Sequence, residues 1–231
     1  MNYAFILMHG WGSNGDYWQN LVNHLDGNDY FIYEQGYFSN KEHSKLEDVH
    51  HFVENHPNDK IVGIGHSIGF IKLLETNVEF DYIFGLQSFV NFLGSGSTLK
   101  ILSNNFQNFV SEFLKNPGEM LKNSYISARI YEYFEEGMFG ENNINYSLLI
   151  DDLQSLKEDK SHLLGNNDIH YHIFGSHDDS VVHPFIIKDN FFEENITFLD
   201  VKAYHSLGIF HSELVAKEIF DKLAELEKNN D

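Results

Sequence analysis

Ile61-Val62-Gly63-Ile64-Gly65-His66-Ser67-Ile68-Gly69, followed by Phe70-Ile71-Lys72-Leu73-Leu74-Glu75, is the stretch on which the fold turns. The apolar run reads as a short buried strand and the segment after Ser67 as a helix. Between them, G-H-S-I-G has the form of a strand-to-helix elbow that holds a serine at strained backbone angles and exposes its hydroxyl. Gly65 and Gly69 stand two residues either side of Ser67, where a Cβ would crowd so tight a turn. Ile68 would then offer its backbone N–H at a helix N-terminus, where the dipole favours negative charge. With Gly63, the same glycines also spell G-x-G-x-x-x-G, which mimics a dinucleotide loop. A base, an acid and a second oxyanion donor, in the right order elsewhere in the chain, would decide for the elbow.

Composition narrows the field. The 231 residues suit one domain with a sizeable core. Apolar residues make up 42% and charged residues 22%, which is globular rather than disordered or membrane composition. No apolar run approaches the ~18 residues of a membrane span. Met1-Asn2-Tyr3 enters an apolar segment with neither a basic flank nor a cleavage site, and Cys is absent, so a cytoplasmic location is expected. The 35 acidic against 15 basic residues leave a net charge of −20, which argues against nucleic acid and weighs against an acidic protein partner. With 21 Phe and 12 Tyr, cores and apolar pockets should be lined by aromatics.

Working outward from the elbow, Tyr3 to Met8 reads as a fully buried strand, and His9-Gly10-Trp11-Gly12-Ser13-Asn14-Gly15 as the loop after it. Asp16 is the expected cap of a helix to about Leu25. Further strands are expected at Tyr30–Tyr33, Lys60–Ile64, Tyr82–Leu86, Ile169–Phe174 and Ile196–Val201. Helices are expected at Lys41–His56, from Ile68 to about Asn77, and from Ser212 to about Lys228. This alternation implies an α/β fold, a mostly parallel sheet with helices on both faces. From 94 to 164 the period is helical throughout. Phe106, Phe109, Val110, Phe113 and Leu114 form one stripe, and Leu148, Leu149, Leu153 and Leu156 another. The expected division is therefore a core of 1–93 and 165–231, with a helical cap at 94–164 inserted before the acid-bearing strand.

Polar groups stand just beyond three strand ends, where open α/β sheets place their ligands. Ser67 follows one, Gly175-Ser176-His177-Asp178-Asp179 another, and Tyr204-His205 the last. A serine hydroxyl needs an imidazole to take its proton, and a carboxylate to fix that imidazole's tautomer. Backbone N–H groups then hold the oxyanion. Ile68 supplies one, and Trp11 in the His9–Gly12 turn can supply the other.

H-G-W-G, G-H-S-I-G, F-G-S-H-D-D-S-V-V and K-A-Y-H-S-L-G-I-F-H-S together resemble α/β-hydrolases. More narrowly they resemble the pimeloyl-acyl-carrier-protein methyl ester esterases of biotin synthesis, as does the Asn145–Leu153 segment. The resemblance implies a serine carboxylesterase with Ser67, Asp178 and His205 as its triad. It implies Trp11 and Ile68 as oxyanion donors, an acyl ester presented on an acyl-carrier protein as substrate, and no cofactor. That family meets its acidic carrier through a cluster of cap arginines. Here Arg129 is the only arginine, with Lys100, Lys115, Lys122, Lys157 and Lys160 as substitutes.

Asp178, three residues after Gly175, is the favoured acid, while Asp179, leading Ser180-Val181-Val182, has a common acid spacing too. His211 is expected to be structural and His9 to brace its loop. His170, His172, His177 and the two aspartates would suit a metal, but the further ligand clusters of a two-metal hydrolase are missing. The dinucleotide reading leaves Trp11 and His205 unexplained. A broad carboxylesterase or thioesterase, and a hydrolase-fold binding protein without turnover, remain the alternatives.

Overall fold

The computed structural model describes residues 2–39, 41–131, 143–165 and 170–230, with backbone alone at 96–101 and 229–230. The expected strand start at Ile169 and the last tail residue, Asp231, lie outside the described residues. Six strands, β1 (Tyr3–Met8), β2 (Asp29–Tyr33), β3 (Lys60–His66), β4 (Tyr82–Leu86), β5 (His170–Ser176) and β6 (Ile196–Leu199), form one sheet in the order β2-β1-β3-β4-β5-β6. Every pairing is parallel.

Central strands covered on both faces need no alternation of apolar and polar residues. Ala4 to Leu7 of β1 are fully buried, as are Val62 and Ile64 of β3. The edge strand β2 stays half-exposed along its length. Register then brings the strand ends together: Met8 pairs with Tyr33 and Gly65, His66 with Leu86, and Leu86 with Phe174. The loops after β1, β3, β4 and β5 thus leave one edge of the sheet, with β3 near its middle.

Helices are α1 (Gln19–Val22), α2 (Leu46–Glu54), α3 (Ile68–Leu74), α4 (Gly96–Lys115), α5 (Pro117–Ser127), α6 (Tyr146–Ser155), α7 (Pro184–Asn190), α8 (Leu207–Phe210) and α9 (Ser212–Asn230). Several are shorter than their periodicity implies. Asn14, not Asp16, caps the first turn by accepting the Asp16 N–H, and that turn is a 3₁₀ turn leading into α1. The helix expected from Lys41 begins at Leu46, because the Asp48 carboxylate takes the Lys45 N–H and fixes the start there. α3 stops at Leu74, where the Thr76 hydroxyl bonds the Leu73 carbonyl and Asn77 turns left-handed at φ 57°.

Between β4 and β5 the described chain is helical, in α4, α5 and α6. On α4, Phe106 and Phe113 are buried, while Leu114 is 56% exposed and falls outside the expected stripe. On α6, Leu149 and Leu153 are buried, and Leu156 follows at its end.

Candidate active site

Ser67 stands between β3 and α3 at φ 55°, ψ −126°, left-handed backbone that few residues other than glycine occupy. Its N–H donates to Leu86 O at 3.0 Å, and its carbonyl accepts the Phe70 N–H at 3.3 Å, so both sides of the turn are pinned. The flanking glycines are required by space. A Cβ on Gly69 would overlap the Met8 and His9 carbonyl oxygens, and one on Gly65 would overlap the Phe70 backbone.

Gly10 brings the loop after β1 against the elbow, since a Cβ there would lie 3.1 Å from the Ser67 Cβ. Trp11 follows Gly10 on that loop, and Ile68 follows Ser67 at the start of α3. Their backbone N–H groups donate to no other group among the described residues. His9, fully buried, lies behind this loop with Nε2 3.1 Å from Glu34 Oε1. Glu34 also accepts from Gly15 N–H at 2.9 Å. Burial alone would raise the Glu34 carboxyl, but His9 and the Gly15 and Gly36 N–H groups outweigh it and hold the pKa below the ordinary value. The loop is thus braced by His9, as its sequence suggested.

His205 lies in the loop between β6 and α8, with 12% of its side chain exposed. His66 locates it beside the elbow: the two rings are 4.7 Å apart, and His66 Nε2–H donates to the His205 carbonyl at 3.1 Å. Burial, then the nearby His205, pushes the His66 pKa well below the ordinary imidazole value, so His66 stays neutral. It stacks on Tyr17 at 4.3 Å.

The carboxylate paired with His205 is Asp179, at 2.9 Å from Nδ1, and not Asp178. The reason is local. Asp179 Oδ1 accepts the N–H groups of Val181 and Val182 at 2.8 and 2.9 Å, a tight turn that aims Oδ2 inward. Asp178 instead accepts from Ala203 N–H at 3.1 Å and from Tyr204 N–H, and so holds the backbone of the His205 loop. Burial would raise the Asp178 pKa, but those N–H donors lower it below the ordinary value. Among the described residues, the Ser67 hydroxyl and His205 are not hydrogen-bonded to each other.

No protein-family model matches the sequence, and no curated protein does. Solved structures do. An esterase from Exiguobacterium antarcticum matches with a TM-score of 0.74 at 10% identity, over 96% of this chain and 92% of its own. A lipase-esterase related protein from Clostridium acetobutylicum matches at 0.66 with 18% identity, over 95% and 93%. An epoxide hydrolase matches at 0.63 with 17% identity, over 97% and 92%.

The chain has the α/β-hydrolase fold. Esterases and an epoxide hydrolase share it, so the α/β-hydrolase fold alone does not say which bond is cleaved. That has to come from the side chains.

Several contacts join the helical segment to this α/β-hydrolase core at the loop after β1. Trp11 Nε1–H donates to Leu149 O at 2.9 Å, its ring packs on Phe109 and Phe113, and Tyr125 O–H donates to Gly12 O. Below them, Asp152 of α6 pairs with Lys72 of α3 at 2.6 Å and accepts from Tyr37 O–H. A cleft of about 470 Å³ opens here, lined by Tyr33, His43, Ile71, Lys72 and Leu148. Ile68 lines it, and Ser67 and His205 do not.

Of the other histidines, His211 Nε2–H donates to the Lys202 carbonyl at 2.9 Å, as a structural residue would. His172 meets Thr197 Oγ1 at 2.8 Å, and His177 stacks on Phe198. No group of three His, Asp or Glu side chains among the described residues is placed to hold a metal. Sequence reasoning passed over Gln87, whose signal was a polar residue directly after a buried strand end.

Proposed function

We propose that this protein is a serine carboxylesterase, with Ser67 as nucleophile, His205 as base and Asp179 as the acid that orients it. The observation that carries the reading is a serine at φ 55° on an elbow beside a histidine whose Nδ1 is taken by a buried carboxylate. With Nδ1–H donated to Asp179, the lone pair of His205 sits on Nε2, the atom needed to receive a proton.

Ser67 Oγ attacks the ester carbonyl carbon as Nε2 takes its proton. The N–H groups of Trp11 and Ile68 hold the carbonyl oxygen as it becomes negative. The C–O bond to the alcohol then breaks, and His205 returns the proton to the departing alkoxide oxygen. Water attacks the acyl-enzyme by the same proton path and releases the acid and Ser67. This sequence calls on no metal and no cofactor.

Residues 94–164 are read as a cap, whose Phe109 and Phe113 against Trp11 suit an acyl chain of short to medium length. The specific substrate proposed is a methyl pimeloyl ester on an acyl-carrier protein, in the cytoplasm, on the strength of the motif resemblance. Charge pulls toward a free ester instead. The net charge is −20, and two of the cap cations already have carboxylate partners, Lys115 with Glu112 and Lys160 with Glu75 and Glu158. No helix among the described residues is long and apolar enough to cross a membrane.

The deciding experiment is cleavage of a methyl pimeloyl carrier protein beside a simple methyl ester of similar length. Faster cleavage of the carrier ester supports the biotin-pathway substrate. Cleavage of the simple ester alone leaves a broad carboxylesterase or thioesterase. A hydrolase-fold binding protein without turnover is the reading that remains if the wild type cleaves neither ester.

A further inference from the structure

We propose that Gln87 is a positioning residue of this site, one buried amide that locks the acid loop to the base loop. The inference rests on the serine-esterase reading above. Gln87 directly follows β4, is fully buried, and has φ 50°, left-handed backbone that glycine or asparagine would occupy more readily. Its own N–H donates to Phe174 O at 2.7 Å, which pins it to β5.

The side chain then reaches both catalytic loops. Nε2 donates to Asp179 Oδ2 at 2.8 Å, and lies 3.1 Å from Ser176 Oγ and 2.5 Å from the Tyr204 carbonyl. Oε1 accepts the Leu207 N–H at 2.8 Å. Ser176 and Asp179 belong to the acid loop, Tyr204 and Leu207 to the segment that brackets His205. Two amide hydrogens serve three acceptors, so one is shared.

What this does for catalysis follows from the Asp179 carboxylate. Oδ1 is held by the N–H groups of Val181 and Val182. Apart from His205 itself, only Gln87 holds Oδ2 among the described residues. Without that donor the carboxylate can pivot about Oδ1 and take the imidazole with it. A misplacement of about 1 Å in such a group costs roughly 100-fold in rate.

The test is ester cleavage by Gln87→Met and Gln87→Asn. Both withdraw the donor from Asp179, Gln87→Asn by shortening the side chain one methylene while keeping an uncharged amide that suits the left-handed backbone. Each is measured alone and in an Asp179→Asn background, with thermal melts alongside. The expected result is a fall in kcat of about 10- to 100-fold with KM within about twofold, and no further fall in the Asp179→Asn background. If Gln87→Met loses the fold, Gln87→Asn decides alone. Wild-type kcat in a folded variant, or a loss that simply multiplies with that of Asp179→Asn, would overturn the proposal. Ser67→Ala is run beside them. Full activity in that variant removes the esterase reading itself, whereas an inactive Ser67→Ala with unaffected Gln87 variants removes only this inference.

Discussion

His205 Nδ1 meets Asp179 Oδ2 at 2.9 Å, while Asp178, one residue earlier, faces the backbone of the His205 loop. Two adjacent carboxylates thus serve one histidine in different ways. Asp179→Asn should lose about 10³- to 10⁴-fold in kcat, because the amide disturbs the tautomer that Asp179 selects. Asp178→Asn should lose about 10-fold or less, since it loosens a loop and leaves the proton path in place. Steady-state kinetics on one ester separates them, and the reverse ranking would return the triad acid to Asp178.

The elbow glycines make a stability prediction. Gly69→Ala would drive a methyl into the Met8 and His9 carbonyl oxygens, and Gly65→Ala into the Phe70 backbone. Each should cost more than about 3 kcal/mol or prevent folding. Gly27, at φ 73° with nothing within 4 Å of an added Cβ, provides the control. Gly27→Ala carries only backbone strain and should cost about 1 kcal/mol, as urea melts would show.

Trp11 links the loop after β1 to the helical segment through its indole N–H and its ring. Trp11→Phe keeps much of the packing on Phe109 and Phe113 but loses the bond to Leu149 O. Expected is a loss of about 1 kcal/mol in stability and a flatter dependence of KM on acyl chain length. A chain-length series of esters reads this out. An unchanged profile would show that the latch does not shape the acyl site.

His172 gives the fold a pH dependence of known sign. Burial, and then the charge of Lys222, lower its pKa to about 4 from an ordinary 6.5. Between those values the unfolded chain binds a proton that the folded one refuses. The contribution is therefore complete above about pH 6.5 and falls by up to about 1.4 kcal/mol per unit as pH drops toward 4. His172→Gln should show a smaller decline in melting temperature between pH 6.5 and 5 than wild type. Parallel declines would mean that His172 is not the group responsible.

How much was legible in the sequence depended on the range of the interaction. The parallel strands and the elbow were readable because two-sided burial and glycine spacing are local patterns. Ser67 stood directly after a strand and His205 in the loop after the last one, so topology brought them to one edge. Asp178 and Asp179 could not be separated by spacing, because the choice is made by side-chain bonds to Val181, Val182, Ala203 and Tyr204. The early end of α3 and the late start of α2 came from capping side chains that periodicity does not register. Gln87 was invisible for a related reason: its side-chain partners lie 89 to 120 residues away along the chain.

The most direct test of the central claim is hydrolysis of a short-chain ester by wild type and Ser67→Ala, with fluorophosphonate labelling of each. Expected are cleavage and rapid labelling of the wild type at Ser67, lost on denaturation, and neither reaction in Ser67→Ala. Ester cleavage that survives in Ser67→Ala, or a wild type that folds but neither cleaves nor labels, would contradict it.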